Sequence, residues 1–263
     1  MRLLVSVLLA LAVTGAGPIA RQEAADTAQS SKIWVGRHAE FEEFLENGLI
    51  VRLVDLSEGV TRPRRAFFDA GGPAASAVIK TIRPVRESGV LDSYKSEIAA
   101  YELDKLLGLD MVPPTVERRV DWELVSAQLW VERCSKLKDK AGQTPPDVAR
   151  WNRQIYRQRV FDNLIANTDR NAKNVLIDPC WNLILIDHSR TFDARSGRQP
   201  NVLTRIDREL FARLKALDRR ALLQRVRPWL EFDVDFILER RDRIVGEFER
   251  LIREKGEGAV VID

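Results

Sequence analysis

The chain has 263 residues, of which 45% are hydrophobic and 31% charged, a balance typical of a folded globular protein rather than a disordered or membrane-embedded one. Forty-two basic residues against 39 acidic ones leave a formal net charge of +3. The basic residues are scattered among carboxylates, which argues against nucleic acid as a partner. The two cysteines and two histidines are too few for a disulfide framework or a zinc site, and a single Cys134–Cys180 bridge is left open.

The first 20 residues have the pattern of a secretion signal. Met1-Arg2 is followed by an apolar run over 3–13 and then by small residues up to Ala20. The run is too short to span a bilayer, and no other segment is apolar enough to do so. A buried helix or a wrongly assigned start codon would give the same pattern. We interpret residues 1–20 as a signal peptide that exports the protein to a periplasmic, extracellular or secretory-pathway space.

The next segments change from polar to β-like. Residues 21–48 read as a polar tether over 21–31 and, further on, a short helix over 41–48. Alternating and β-branched residues then predict three strands joined by turns, which makes an antiparallel meander. The predicted strands cover 49–55, 64–69 and 75–82.

A helix and two more strands follow the meander. Apolar residues recur at helical spacing over 91–107, and Gly108 stands where a helix is expected to end. Pro113-Pro114 favours an extended exit, and strands are predicted over 115–119 and 123–131. Residues 49–133 therefore predict a five-stranded antiparallel sheet with one helix inserted after the third strand.

The second half of the chain is mostly helical. A polar connector over 134–146 precedes a long helix over 147–166, for which Asp147 is the predicted cap, and a loop over 167–174. A hairpin of two short apolar strands and three amphipathic helices over 204–255 complete the chain. The predicted fold class is α+β with two lobes, over 49–133 and 134–263.

Three polar residues around the predicted hairpin are the most informative feature of the sequence. Asp169 and Asn174 lie five residues apart in one loop, and Asp187 ends the hairpin that follows. Transfer of a phosphoryl group from a nucleotide needs one carboxylate to orient or deprotonate the attacking hydroxyl. It also needs an amide and a second carboxylate to hold the metal that bridges the phosphates. The hairpin brings these three side chains toward one point.

Each of these residues has an ordinary structural explanation when it is taken alone. Asp169 and Arg170 would make a simple loop ion pair, Asn174 would cap a turn, and Asp187 would merely end a strand. Structure by itself gives little reason for all three at this spacing. The combination favours a catalytic and metal-binding site.

The first half of the chain offers partners for such a site. Lys80 has apolar neighbours on a predicted strand, where an ammonium group is costly unless it meets negative charge, although a lysine on an edge strand can also reach solvent. Glu97 on the next helix is placed to reach it, and Glu102 is the alternative that faces the other way. Gly59 and Thr61 lie in the first hairpin, whose backbone amides can cover phosphates.

These residues stand in strings that resemble a known family. Residues 96–120 (SEIAAYELDKLLGLDMVPPTVERRV) are similar to a helix and strand of the secretory-pathway kinases related to Golgi casein kinase (family with sequence similarity 20) and to the xylose kinase of proteoglycan synthesis. VFDNLIANTDRNAKNVLID and LILIDHSRTF, within 160–192, resemble the catalytic loop and metal-binding strand of that family. They are equally similar to the HipA-like and phosphoinositide 3/4-kinase-like branches of the atypical kinase superfamily.

The resemblance implies a protein-kinase-like fold and a role for each residue. Lys80 would contact the phosphates of ATP with Glu97 as its partner, and Asp169 would be the catalytic aspartate. Asn174 and Asp187 would bind Mg²⁺ or Mn²⁺. The His-Arg-Asp and Asp-Phe-Gly strings of ordinary protein kinases read Asn-Thr-Asp and Asp-His-Ser here, and the cysteine-rich lobe of the animal secretory kinases is missing.

We therefore expect an ATP- and metal-dependent phosphotransferase. Its acceptor would be a hydroxyl of a protein, a glycan or a lipid. Two alternatives stay open. One is a pseudokinase that binds nucleotide without transfer, and the other is a kinase-fold enzyme that transfers AMP.

Overall fold

The structure is a computed structural model that describes residues 29–57, 62–87, 90–197 and 199–263. The predicted signal peptide over 1–20, and Gly59 and Thr61 of the first hairpin, lie outside the described residues. The strands are β1 (Ile50–Asp55), β2 (Arg64–Phe68), β3 (Ser76–Lys80), β4 (Val85–Glu87), β5 (Val90–Asp92), β6 (Thr115–Val120), β7 (Glu123–Leu129), β8 (Ser135–Lys136), β9 (Val175–Ile177), β10 (Leu183–Leu185), β11 (Ile206–Asp207) and β12 (Val261–Ile262). The helices are α1 (His38–Asn47), α2 (Tyr94–Leu107), α3 (Val148–Leu164), α4 (Arg208–Ala216), α5 (Arg219–Arg225), α6 (Asp235–Lys255) and α7 (Glu257–Val260).

The first half forms the predicted antiparallel sheet, in the order β1-β2-β3-β7-β6. Side chains on one face of this sheet alternate into an apolar core with α1, as expected for a sheet with one buried face. That core includes Trp34 and Phe41, which are both fully buried, and Val125 of β7. The register places Lys80 of β3 opposite Ser126 of β7. This pairing fixes Lys80 at the end of a central strand.

Helix α2 follows the sheet's third strand, as predicted, but begins later. The sequence predicted a helix from residue 91, whereas residues 90–92 form β5, which pairs with β4 in a small hairpin. The helix begins after Ser93, whose side chain accepts a hydrogen bond from the backbone N–H of Lys95. It ends at Gly108 in the left-handed conformation, with φ of 55°. The N-cap rather than the apolar periodicity therefore sets where α2 begins.

The second half is mostly helical around a small sheet. Strands β9 and β10 form the predicted hairpin, and β8 adds a third strand in the order β10-β9-β8. Asp147 caps α3, as predicted, because its side chain accepts a hydrogen bond from the backbone N–H of Arg150. A second apolar core joins α2, α3, the hairpin and the C-terminal helices. The antiparallel sheet and the seven helices found in the described residues give the α+β, kinase-like fold class that the sequence predicted.

Ser30 and Ser31, among the described residues before α1, are bound to the second half of the chain. The sequence predicted a polar tether up to residue 31, yet Asp178 accepts hydrogen bonds from the Ser30 hydroxyl at 3.0 Å and from the Ser31 backbone N–H at 2.9 Å. His38 at the start of α1 contacts the Tyr101 hydroxyl at 3.0 Å. These partners lie far away in the chain, so local composition did not reveal them. Within the described ranges, no helix is long and apolar enough to cross a bilayer.

Candidate functional site

Lys80 lies at the centre of a buried ionic cluster. Its residue is 8% exposed, and its ammonium group contacts the Glu97 carboxylate and lies 2.6 Å from Oδ1 of Asp187. Burial alone would lower the pKa of Lys80, but the two carboxylates outweigh burial and raise it above its usual value. Lys80 is therefore positively charged at neutral pH. The structure brings it together with two of the residues that the sequence singled out.

Glu97 joins this cluster from the first turn of α2. It is 1% exposed, and the carboxylate oxygen that does not contact Lys80 accepts a hydrogen bond of 3.0 Å from the backbone N–H of His188. Burial would raise the pKa of Glu97, but Lys80 and His188 outweigh it and hold the pKa below its usual range. Glu102, the alternative partner, pairs with Lys105 at 3.0 Å. The geometry thus pairs Lys80 with Glu97 and not with Glu102.

Asp187 follows β10 in an unusual backbone conformation. Its φ is 63°, in the left-handed region that residues with a Cβ rarely adopt and that aspartate tolerates better than most. Such conformations recur where a functional side chain must be aimed in one direction. Lys80 accounts for one carboxylate oxygen of Asp187, whose side chain is 40% exposed. Asp187 therefore combines an anchored position with access to ligands.

Asp169 and Asn174 lie in the loop between α3 and β9. The backbone N–H of Asp169 donates to the side chain of Asn167 at 3.1 Å. The Asn174 amide lies 3.4 Å from the backbone carbonyl of Asp169, and the Asn174 carbonyl accepts from the Ile186 N–H at 3.2 Å. Asn174 is therefore held beside the residue that precedes Asp187. The Asp169 side chain is 48% exposed, which leaves it open to a substrate.

Arg170 organises this loop, and the sequence did not reveal how. One interpretation paired Arg170 with Asp169, but the guanidinium binds Asp162 of α3, with contacts of 3.1 and 3.2 Å. It also donates to the backbone carbonyls of Asn174 and Ile186, each at 2.8 Å. One buried cation thus holds the Asn174 and Asp187 segments together.

His188 links this loop to Glu97. Its Nε2 lies 2.8 Å from the Arg170 guanidinium, which can only donate, so Nε2 accepts and the proton lies on Nδ1. Nδ1 lies 3.6 Å from the Glu97 carboxylate. Burial lowers the pKa of His188, as does Arg170, and these effects outweigh Glu97. His188 is therefore neutral, and it joins the loop between α3 and β9 through its ring and α2 through its backbone N–H.

The sequence held one signal for this network. Asp162 stands among Val160, Phe161 and Leu164 at the buried C-terminal end of α3, and a buried carboxylate there requires a cation. The sequence does not show which arginine supplies that cation. No local pattern marks His188, because its partners come from α2 and from the loop.

Asn174 and Asp187 supply only some of the ligands that a divalent cation needs. Within the described residues, no group of three or more histidine, cysteine, aspartate or glutamate side chains could hold a metal. Mg²⁺ usually binds through one or two carboxylates plus substrate phosphates and water rather than an all-protein cage. Asp187 and the Asn174 amide oxygen suit such a shared site. The donor set therefore fits a cation that arrives with a polyphosphate.

Solved structures share this fold. A Golgi casein kinase with Mn/ADP bound matches with a TM-score of 0.61 at 14% identity, over 86% of this chain and 78% of the other. Fam20 from hydra, solved with sugar, matches with a TM-score of 0.64 at 17% identity, over 84% and 90% of the two chains. The proinflammatory kinase CtkA from Helicobacter pylori matches with a TM-score of 0.51 at 12% identity, over 80% and 98%.

The chain has the fold of atypical kinases. No family model and no curated protein matches its sequence. Identities of 12–17% show the fold alone, so activity, substrate and cofactors have to be inferred from the site.

Proposed function

We propose that the protein transfers the terminal phosphoryl group of ATP to a hydroxyl acceptor, with Mg²⁺ or Mn²⁺ as the metal. The contact between Lys80 and Asp187 carries this proposal. These residues are 107 positions apart in the sequence, and their charged groups lie 2.6 Å apart. A cation from the sheet and a carboxylate from the hairpin thus meet at one point, as phosphoryl transfer from a nucleotide requires.

Each residue has a separate task in this proposal. Lys80 binds phosphate oxygens, and Glu97 keeps its ammonium group aimed at the site. Asp169 orients the acceptor hydroxyl and accepts its proton. Asn174 and Asp187 would hold the metal, which would supply positive charge that offsets the charge of the phosphates. Catalysis on this scheme comes from positioning and electrostatics.

Burial of Lys80 suits its proposed role of binding phosphate oxygens. A buried ammonium group keeps its full electrostatic effect because water does not screen it. Glu97 is buried with it and balances its charge, so the free protein tolerates the cation. Lys80 contacts one carboxylate oxygen of Asp187, and the Asp187 side chain is exposed enough for the other oxygen to bind a ligand. Gly59 and Thr61 stay predicted phosphate-covering residues of the first hairpin.

Binding and turnover separate the residues experimentally. We expect Mg²⁺ and ATP together to raise the melting temperature, and Asp187→Ala to abolish this shift. Asp169→Ala should keep the shift but lose transfer of phosphate from labelled ATP. An Asp187→Ala protein that binds Mg²⁺-ATP as well as the parent would refute the metal assignment.

The same assay distinguishes the alternatives. Binding of nucleotide without any turnover that depends on Asp169 would indicate a pseudokinase. A product that carries the mass of AMP rather than of phosphate would indicate adenylyl transfer. The acceptor is a hydroxyl of a protein, a glycan or a lipid. Screening one acceptor of each class for phosphate transfer tells which of the three classes the protein uses.

We further propose that residues 1–20 direct export and that the lobes meet near residues 133 and 134. Along the chain, β7 is the last strand of the five-stranded sheet and ends at Leu129. The next strand, β8 at Ser135, pairs with β9 of the second half, which supports this boundary. N-terminal sequencing of the secreted protein tests the first part. A mature protein that keeps residues 1–20 would contradict the proposed signal.

A further inference from the structure

Arg190 lies between two carboxylates beside the proposed site. Its Nε donates to Oδ2 of Asp92 at 3.1 Å, and its Nη1 lies 3.8 Å from Oδ2 of Asp169. The Asp92 side chain is 15% exposed, whereas those of Arg190 and Asp169 are 41% and 48% exposed. The guanidinium is thus anchored on its inner side and open at its tip.

The two contacts of Arg190 differ in kind. The Asp92 contact is a hydrogen bond, but 3.8 Å to Asp169 is too long for one. Among the described residues, the terminal nitrogens of Arg190 make no hydrogen bond that would use up their donors. A planar guanidinium with free terminal N–H groups is well suited to bind phosphoryl oxygens. The geometry leaves those donors next to Asp169.

The other arginine near Asp169 is not available for a ligand. The Arg170 side chain is 7% exposed and is fully engaged by Asp162, two backbone carbonyls and His188. Lys173, further along the loop, is exposed to solvent. Arg190 is therefore the cation that the described structure holds against Asp169.

We propose that Arg190 binds the phosphoryl group that is transferred and stabilises its charge as transfer proceeds. This inference rests on the proposed function. The acceptor oxygen forms a bond to the γ-phosphorus while the bond from that phosphorus to the β–γ bridging oxygen breaks. The electron pair of the broken bond stays on ADP, and the hydroxyl proton goes to Asp169. Charge on the transferred group then lies within reach of an anchored guanidinium.

Asp92 has a positioning role in this proposal. It lies at the end of β5, directly before the N-cap of α2, and accepts the hydrogen bond from Nε of Arg190. Its own contact with substrate is not required. Asp92→Ala should therefore weaken the same step as loss of Arg190, and Asp92→Asn, which keeps an acceptor oxygen, should weaken it less.

Binding of two nucleotides tests the role of Arg190 without relying on turnover. Calorimetry with Mg²⁺ would compare ADP with adenylyl imidodiphosphate, a non-hydrolysable ATP analogue that has the terminal phosphoryl group. In Arg190→Ala we expect affinity for the analogue to fall by about ten-fold, the size of one charge-assisted contact, while ADP affinity changes less than about two-fold. Arg190→Lys should be intermediate, because it keeps the charge and loses the planar fork.

Lys173→Ala is the matched control, since it removes the same charge from the neighbouring loop and should leave the ratio of the two affinities unchanged. Thermal unfolding checks that each variant is folded. If wild type binds both nucleotides and Arg190→Ala keeps the wild-type ratio, this inference is wrong and the proposed function stands. If wild type binds neither nucleotide, both fail.

Discussion

Glu97 accepts a hydrogen bond of 3.0 Å from the backbone N–H of His188. The two residues are 91 positions apart, and the bond joins the first turn of α2 to the residue after Asp187. The other Glu97 oxygen contacts Lys80. One carboxylate therefore holds in position both Lys80 of the sheet and the backbone next to Asp187. This contact couples the position of α2 to that of the hairpin.

The first prediction concerns the charge on Glu97. Glu97→Gln keeps the shape and an acceptor for His188 but removes half of the negative charge around Lys80. Removing one partner of a buried ion pair costs about 3 kcal/mol, and we expect a loss of this order in the free energy of unfolding by urea. Affinity for Mg²⁺-ATP should also fall. Glu40→Gln on the exposed part of α1 is the control and should change neither quantity. Equal stability of the Glu97 variant and wild type would show that Lys80 does not need this partner.

A second prediction concerns the imidazole of His188. His188→Ala removes the acceptor of one Arg170 N–H and leaves a cavity in a fully buried site. We expect it to cost about 2–4 kcal/mol of unfolding free energy. His188→Gln offers an oxygen near the same arginine and should recover part of the loss. If His188→Gln is no more stable than His188→Ala, His188 stabilises the protein by packing and not by its hydrogen bond to Arg170.

The Asp162–Arg170 pair supports a third prediction. Asp162 is fully buried, so Asp162→Ala leaves the Arg170 cation without its partner and should cost about 3–5 kcal/mol. The double variant Asp162→Ala with Arg170→Gln removes both charges and should be more stable than the sum of Asp162→Ala and Arg170→Gln predicts. Urea unfolding of all four proteins gives the coupling energy. Additive losses would mean that the two groups do not interact.

The fourth prediction is a dependence of stability on pH that arises from Asp104. Burial raises the pKa of Asp104 from 3.8 to about 7, although hydrogen bonds from the backbone N–H groups of Met111 and Val112 and the charge of Lys32 oppose this effect. Because the folded state then binds the proton more tightly than the unfolded state, this group favours folding at low pH. Its contribution declines as pH rises from about 4 through 7.

Asp104→Asn tests this dependence. The asparagine oxygen can accept from both backbone N–H groups, which share Oδ1 in the wild type, at 3.1 and 3.2 Å. We expect the stability of the variant relative to wild type, measured by urea unfolding, to rise by about 1–3 kcal/mol between pH 5 and pH 8. If wild type gains stability relative to the variant between pH 5 and pH 8, the carboxylate is ionised in the folded protein and the sign is wrong.

Local patterns were enough to predict much of this fold. Apolar periodicity predicted the five-stranded sheet, α2 and α3, and Asp147 was predicted as the cap that it is. The spacing of Asp169, Asn174 and Asp187 placed three polar groups around one hairpin, because a loop and a hairpin restrict where 18 residues can go. The hydrophobic strand around Lys80 indicated that this lysine needed negative charge. These inferences depend only on neighbours in the chain.

Long-range packing decided the rest. The partner of Arg170 turned out to be Asp162 rather than the adjacent Asp169, and Ser31 at the end of the predicted tether is bound to Asp178. His188 joins α2 to the loop between α3 and β9. Each outcome depends on which buried charges come within a few ångströms of one another. Residue spacing does not contain that information, because the desolvation and pairing of charges are set only when distant segments pack together.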